Sequence, residues 1–298
     1  MIYRGIDFAN RDSNLGQCYI EIDQASKTIK PLLELKSPTT EFEGTAVDCA
    51  FGTTSGFESL LKGTVPPDCE WDRGFKTRAT ENWLRHKLWD YQTNNYWRGL
   101  SDTSPQHYVN KTAHIQSTVG LVIVPQFLHW FLFQPNQNIA NLENARLGIG
   151  PIVEAHPRPF LYSAIEHIYS SEHRPKVKWR SVLHDVVTYK DKKGEESHSP
   201  QRKRTYEFLQ EHSALWLWND FKLGEAEERL FESDHRFDAF LAALTAMAHN
   251  DKQTIDWQTA SKEEPGLTKE VVQTEGHILV LSTPSSLKPA AQEIHNEE

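Results

Sequence analysis

What this chain lacks narrows it more than what it is rich in. Its longest apolar stretch, residues 118–133, is broken by Pro125, Gln126 and His129, so it falls short of the roughly 18 uninterrupted residues that a membrane helix needs. No basic segment followed by an apolar one stands at its start; no secretory leader is read, and the cytoplasm is the expected compartment. Cysteine is scarce. Cys18, Cys49 and Cys69 are odd in number and too widely spaced for a zinc knuckle, which leaves them as reduced thiols. No glycine-rich loop follows the first apolar segment, which counts against the phosphate cradle of an ATP-dependent phosphotransferase. Positive charge is also in deficit: 41 acids against 32 Lys and Arg give a net charge of -9, so this is not a protein coated in charge for nucleic acid. An acidic body can still carry a local basic cleft.

What is present is a globular composition, 38% hydrophobic and 24% charged over 298 residues, enough to bury a full core in one large domain or two small ones. Residues 2–9, I-Y-R-G-I-D-F-A, read as a buried strand that Gly5 thins and that carries one acid, Asp7. An unpaired carboxylate there costs several kcal/mol, so it calls for a cation, a metal ion or a set of donors; a strand-end or capping aspartate is the plainer alternative. Residues 17–23 and 28–36 read as a second and third strand joined by short polar links, an antiparallel meander. Residues 45–51, T-A-V-D-C-A-F, repeat the first design with Asp48 at the centre.

Beyond this point glycine and proline punctuate 52–72 as an irregular loop. R-A-T-E-N-W-L-R at 78–85 reads as a helix start capped by Thr80, with Arg78 and Arg85 either solvated or directed at an anionic ligand. Aromatic residues from Trp83 to Trp97 fit packing over a core or a surface for base stacking. Residues 114–133 are expected to be helical in part, with Pro125 ending or kinking the helix. Residues 147–155 read as a fifth strand ending at Glu154, followed by a helix over 159–169. Ten Lys and Arg against four acids in 173–204 mark a basic, mobile loop, either solvated or in contact with a phosphate backbone. An amphipathic helix is expected over 205–218. The clearest helix is 233–250, capped by Ser233 or Asp234, with alanines at 239, 242, 243 and 246 for close packing and Asp238 on that small-residue face. Residues 275–281 read as a terminal strand or extended segment and 282–298 as a disordered tail.

This order predicts an α/β fold: a mixed sheet, antiparallel over its first three strands and parallel thereafter, flanked by helices. One domain over 1–281 then carries insertions at about 53–145 and 173–204. Asp7, Asp48, Glu154 and Asp238 are the candidate catalytic and metal-ligating residues. Carboxylates without paired histidine or cysteine make an oxygen site suited to Mg²⁺ or Mn²⁺, one ion or two.

The motifs G-I-D-F-A (5–9), V-D-C-A-F (47–51), R-A-T-E-N-W-L-R (78–85), V-E-A-H-P (153–157), D-A-F-L-A-A-L-T-A (238–246) and E-G-H-I-L (275–279) together resemble, in order, those of the domain of unknown function 429 family. That resemblance implies a ribonuclease H-like fold and nuclease activity on nucleic acid. It makes Asp7, Asp48, Glu154 and Asp238 the metal ligands and catalytic acids. Arg78 and Glu81 would contact phosphate or brace the site, and His156 would transfer protons or pack as a structural histidine. Arg85 joins them as a candidate for substrate binding. A non-catalytic module that binds nucleic acid or protein through 173–204 is the competing reading, and a phosphotransferase of the sugar-kinase or actin-like type is the third.

Overall fold

The computed structural model describes residues 1–8, 16–35, 41–53, 78–84, 124–135, 137–172, 189–190 and 197–282. Its centre is β1 (Ile2–Asp7), antiparallel to β2 (Gly16–Asp23), which is in turn antiparallel to β3 (Thr28–Leu32). On its other side β1 runs parallel to β4 (Gly44–Asp48), and β4 runs parallel to β5 (Ile152–Glu154). The two-residue β6 (Lys222–Leu223) adds to the far edge beside β3, giving a six-stranded sheet in the order β5-β4-β1-β2-β3-β6. The antiparallel-then-parallel arrangement is the one the strand patterns predict. β6 was not foreseen, because two residues carry no periodicity.

The helices that follow are α1 (Ile139–Arg146), α2 (Pro157–Glu172), α3 (Ser199–Glu211), α4 (Ser213–Trp216), α5 (Asp234–Asn250), α6 (Trp257–Glu263) and α7 (Lys269–Glu275). Shorter helical stretches lie at 79–84 and 124–132. Strand alternation sorts side chains to two faces. Tyr3, Gly5 and Asp7 of β1 stand in register with Gly44, Ala46 and Asp48 of β4, all facing α5. Ile6, Val47 and Ile152 face the other way, into a second apolar cluster with Phe51, Phe127, Phe131, Leu142 and Ala145.

The α5 face is built for proximity. A Cβ added to Gly5 would lie 1.8 Å from the Ala239 carbonyl oxygen, and one added to Gly16 would lie 2.2 Å from that of His235. Only glycine on the sheet admits backbones this close, opposite Ala239 at Gly5 and opposite the His235 backbone at Gly16. Asn250 donates from Nδ2 to the Tyr3 hydroxyl at 2.9 Å, and His235 meets Asp7 at the opposite end, so α5 runs antiparallel to β1. Ser233 occupies the N-cap position without a side-chain capping bond, and Asp234 lies in the first turn, where the helix dipole favours an acid.

One expectation is corrected. The stretch 173–204 is not a loop to its end: α3 begins at Ser199, with Pro200 in its first turn. Its buried face includes Arg202, Thr205 and Tyr206, and polar residues there hide the helical period. The helix expected over 114–133 is described over 124–132 and includes Pro125; residues 114–123, on which the expected break depends, lie outside the described residues. Of the two forms expected for residues 275–281, the extended segment is the one seen from 276 onward. Glu275 ends α7, and the segment beyond it makes isolated bridges, Ala155 to Leu279 and Thr254 to Leu281. The region 79–84, expected within an insertion, puts Trp83 and Leu84 into the main core. The loop at 54–72, the aromatics beyond Trp83, Cys69 and the tail from 283 lie outside the described residues. Among the described residues, no helix is long and apolar enough to cross a membrane.

The tight contact generates a test. Gly5→Ala must lift α5 off the sheet or shift β1, a form of overpacking that costs about 3 kcal/mol or more. Urea denaturation will show that loss; an unchanged midpoint would mean that the two backbones are not in contact.

Candidate metal centre

Asp7 ends β1 and Asp48 ends β4. The parallel register pairs these two residues directly, so their side chains leave the same face at neighbouring positions. Asp238 lies one turn inside α5 and points back at them. One carboxylate oxygen from each of the three lies within 4.8 Å of the others. Asp7 is 7% exposed and Asp238 1%. Gly16 pairs with Asp7 across β1 and β2, and its missing side chain lets the first turn of α5 reach the site.

Each acid is compensated differently. His235 Nδ1 lies 2.6 Å from Asp7 Oδ2. The Tyr189 hydroxyl donates to Asp238 Oδ1 at 2.6 Å, and Lys190 Nζ lies 2.5 Å from Asp238 Oδ2. Among the described residues, no donor reaches the Asp48 carboxylate. Burial, then the neighbouring Asp7, hold the Asp48 pKa well above the usual carboxylate range. Burial raises that of Asp7 as well, opposed by the His235 contact. The same contact raises His235. Burial and Asp238 keep the Tyr189 hydroxyl protonated and therefore a donor.

Tyr189, Lys190 and His235 were not singled out by the sequence. Tyr189 and Lys190 come from the stretch expected to be mobile, and Arg202 fixes them: it is fully buried and donates to the Tyr189 carbonyl at 2.9 Å and to the Phe231 carbonyl at 2.7 Å. Lys203 pairs with Glu228. Three of the ten cations expected to meet solvent or phosphate are thus spent on the protein itself. His235, at i and i+3 with Asp238 on one helical face, was the more findable of the three.

Glu154 is the acid that the structure does not bring into the cluster. It pairs with Val47, whose side chain faces away from α5, so Glu154 leaves the opposite face of the sheet from Asp48. There it binds Arg78 through both oxygens, at 2.6 and 3.0 Å, and accepts from the Phe51 backbone N–H at 3.0 Å. Arg78 is 2% exposed. It also donates to Glu81 Oε1 at 2.9 Å and to the Glu275 carbonyl at 2.7 Å. Arg78 and Glu81 are bonded to each other and neither faces solvent. Gly276, at φ +90°, crosses directly over the pair: a Cβ there would lie 2.5 Å from Glu154 Oε2. Thr80 accepts from the Ile278 N–H at 3.1 Å and completes the knot.

His156 sits just before α2. Burial, reinforced by Lys190, Arg158 and Arg78, pushes its pKa down to about 3, so it is neutral at physiological pH and ill matched to donating a proton there. Its Nδ1 has no hydrogen-bond partner among the described residues. Arg85 lies outside the described residues. Comparison with protein-family models, with curated proteins and with solved structures finds no match for this chain.

Two measurements follow. Arg78→Ala strands two buried carboxylates and is expected to cost about 3–5 kcal/mol, seen in thermal unfolding without any nucleic acid; Arg78→Lys, which cannot make the fork, recovers little of it. A wild-type midpoint would return Arg78 to a ligand-facing role. Asp48 titrates near 3.8 when unfolded and well above that when folded, so the metal-free protein loses stability as pH rises from about 4 through the folded pKa. Asp48→Asn removes that slope and raises the metal-free melting temperature at pH 7 by about 2 °C or more, roughly 1 kcal/mol. Calorimetry from pH 4 to 8 decides, and parallel curves for the two proteins would contradict it.

Proposed function

We propose that the chain is a metal-dependent nuclease of the ribonuclease H-like kind, hydrolysing phosphodiester bonds of DNA or RNA. The observation that carries this reading is the meeting of Asp7, Asp48 and Asp238 at one end of the central strands, where Asp48 has no donor among the described residues. The strand order, three antiparallel strands and then two parallel ones beyond β1, supports the ribonuclease H-like reading and with it the resemblance to the domain of unknown function 429 family.

The donor set fits a hard divalent ion. All three groups offer oxygen, and no cysteine or paired histidine competes, which suits Mg²⁺ or Mn²⁺. Asp7 and Asp48 would hold the ion from adjacent strand ends, with Asp238 flanking it. A bound divalent ion supplies Lewis-acid stabilisation of a phosphoryl oxygen and a lowered pKa for water. The protein's own contribution is preorganisation. His235 fixes one oxygen of Asp7 and leaves the other free, and the Tyr189 hydroxyl fixes the orientation of Asp238. Lys190, one-third exposed, presents an ammonium at the mouth of the cluster, where an incoming phosphate would meet it.

Incubation of the purified protein with Mg²⁺ or Mn²⁺ on DNA, RNA and hybrid oligonucleotides tests the proposal. Cleavage is expected, and Asp7→Asn is expected to reduce it at least about 100-fold while unfolding stays cooperative. No cleavage of any substrate overturns the nuclease reading. Metal-independent binding in its place would favour the non-catalytic module.

A further inference from the structure

We infer that Lys190 takes the place of a second cation in the carboxylate cluster, so that the centre holds one divalent ion and not two. This rests on the metal-dependent reading above and specifies its stoichiometry. Lys190 Nζ lies 2.5 Å from Asp238 Oδ2, and the Tyr189 hydroxyl occupies Asp238 Oδ1. One oxygen of the helix acid accepts a hydrogen bond, and the other, which accepts none, is in ion-pair contact with the ammonium, whose charge stands where a second ion would otherwise approach. What remains uncommitted is the oxygen of Asp7 that His235 does not touch, together with the Asp48 carboxylate. Those groups lie on adjacent strand ends and define a single position for an ion between them.

The charges agree. Three carboxylates at -1 each and one ammonium at +1 sum to -2, or -1 with His235 protonated, so one divalent ion leaves 0 or +1 whereas two would leave +2 or +3. Glu154 does not alter this balance as a ligand, because Arg78 holds both its oxygens on the other face of the sheet. Lys190 is also held in place: its neighbour Tyr189 is anchored by buried Arg202 through the backbone carbonyl, and by its own hydroxyl on Asp238. The ammonium is thus a built part of the centre, delivered by two further contacts from the same segment.

Mn²⁺ titration of the full chain, by calorimetry and by electron paramagnetic resonance of the free ion, tests this. Wild type is expected to bind one Mn²⁺ per chain. Lys190→Met is expected to bind two, and their proximity should appear as spin coupling; Lys190→Arg, which keeps the charge, should stay at one. Two ions in the wild type, or one in a cooperatively folded Lys190→Met, overturn the inference while leaving a metal centre in place. No Mn²⁺ in either protein overturns the metal-dependent reading itself, and this inference with it.

Discussion

The structure depends on the near-contact of two backbones, β1 and α5. Gly5 and Gly16 face the helix where any side chain would collide with its carbonyls, Gly5 against Ala239 and Ala243 and Gly16 against His235. This closeness is what makes the acids a cluster. A helix held off by ordinary side chains, at the usual 10 Å or so between packed layers, would leave Asp238 and His235 out of reach of Asp7. The same stripe of small residues that seats the helix ends, at the carboxyl end of the strands, in the two paired aspartates.

Two cations, Arg78 buried and Lys190 partly exposed, divide the electrostatic work on either side of the sheet. Arg78 binds its carboxylates in a closed, multiply bonded knot, with its donors facing Glu154, Glu81 and the Glu275 carbonyl. Lys190 does the opposite. It contacts one oxygen of one acid and leaves Asp48 without a donor among the described residues. The planar guanidinium suits the first task and the compact ammonium the second.

Much of this was legible in the chain, for reasons that can be stated. Asp7 and Asp48 stand out because a carboxylate inside a β-branched run has no bland explanation once two such runs share the design, and Asp238 stands out against alanine. Glu154 has the same local signature yet lies on the wrong face. Which face a strand residue takes depends on its register against β4, and a three-residue strand does not encode that register locally. Lys190 and Arg202 were opaque for another reason: a basic residue among basic residues looks solvated, and only the distant partners, Asp238 and the Phe231 carbonyl, reveal it as internal. The helix α3 was misplaced for the same reason, since its inward face is polar.

The Arg78 knot joins positions far apart along the chain, 76 residues to Glu154 and 197 to the Glu275 carbonyl. A ribosome delivers these segments in order, so Arg78 and Glu154 both emerge well before the stretch that seals them. Until Gly276 has left the exit tunnel, a nascent chain holds an unclosed ion pair. The acids of β1 and β4 meanwhile wait for Lys190 and the first turn of α5. A translation product that stops short of α5 lacks His235 and Asp238 and therefore cannot assemble the centre.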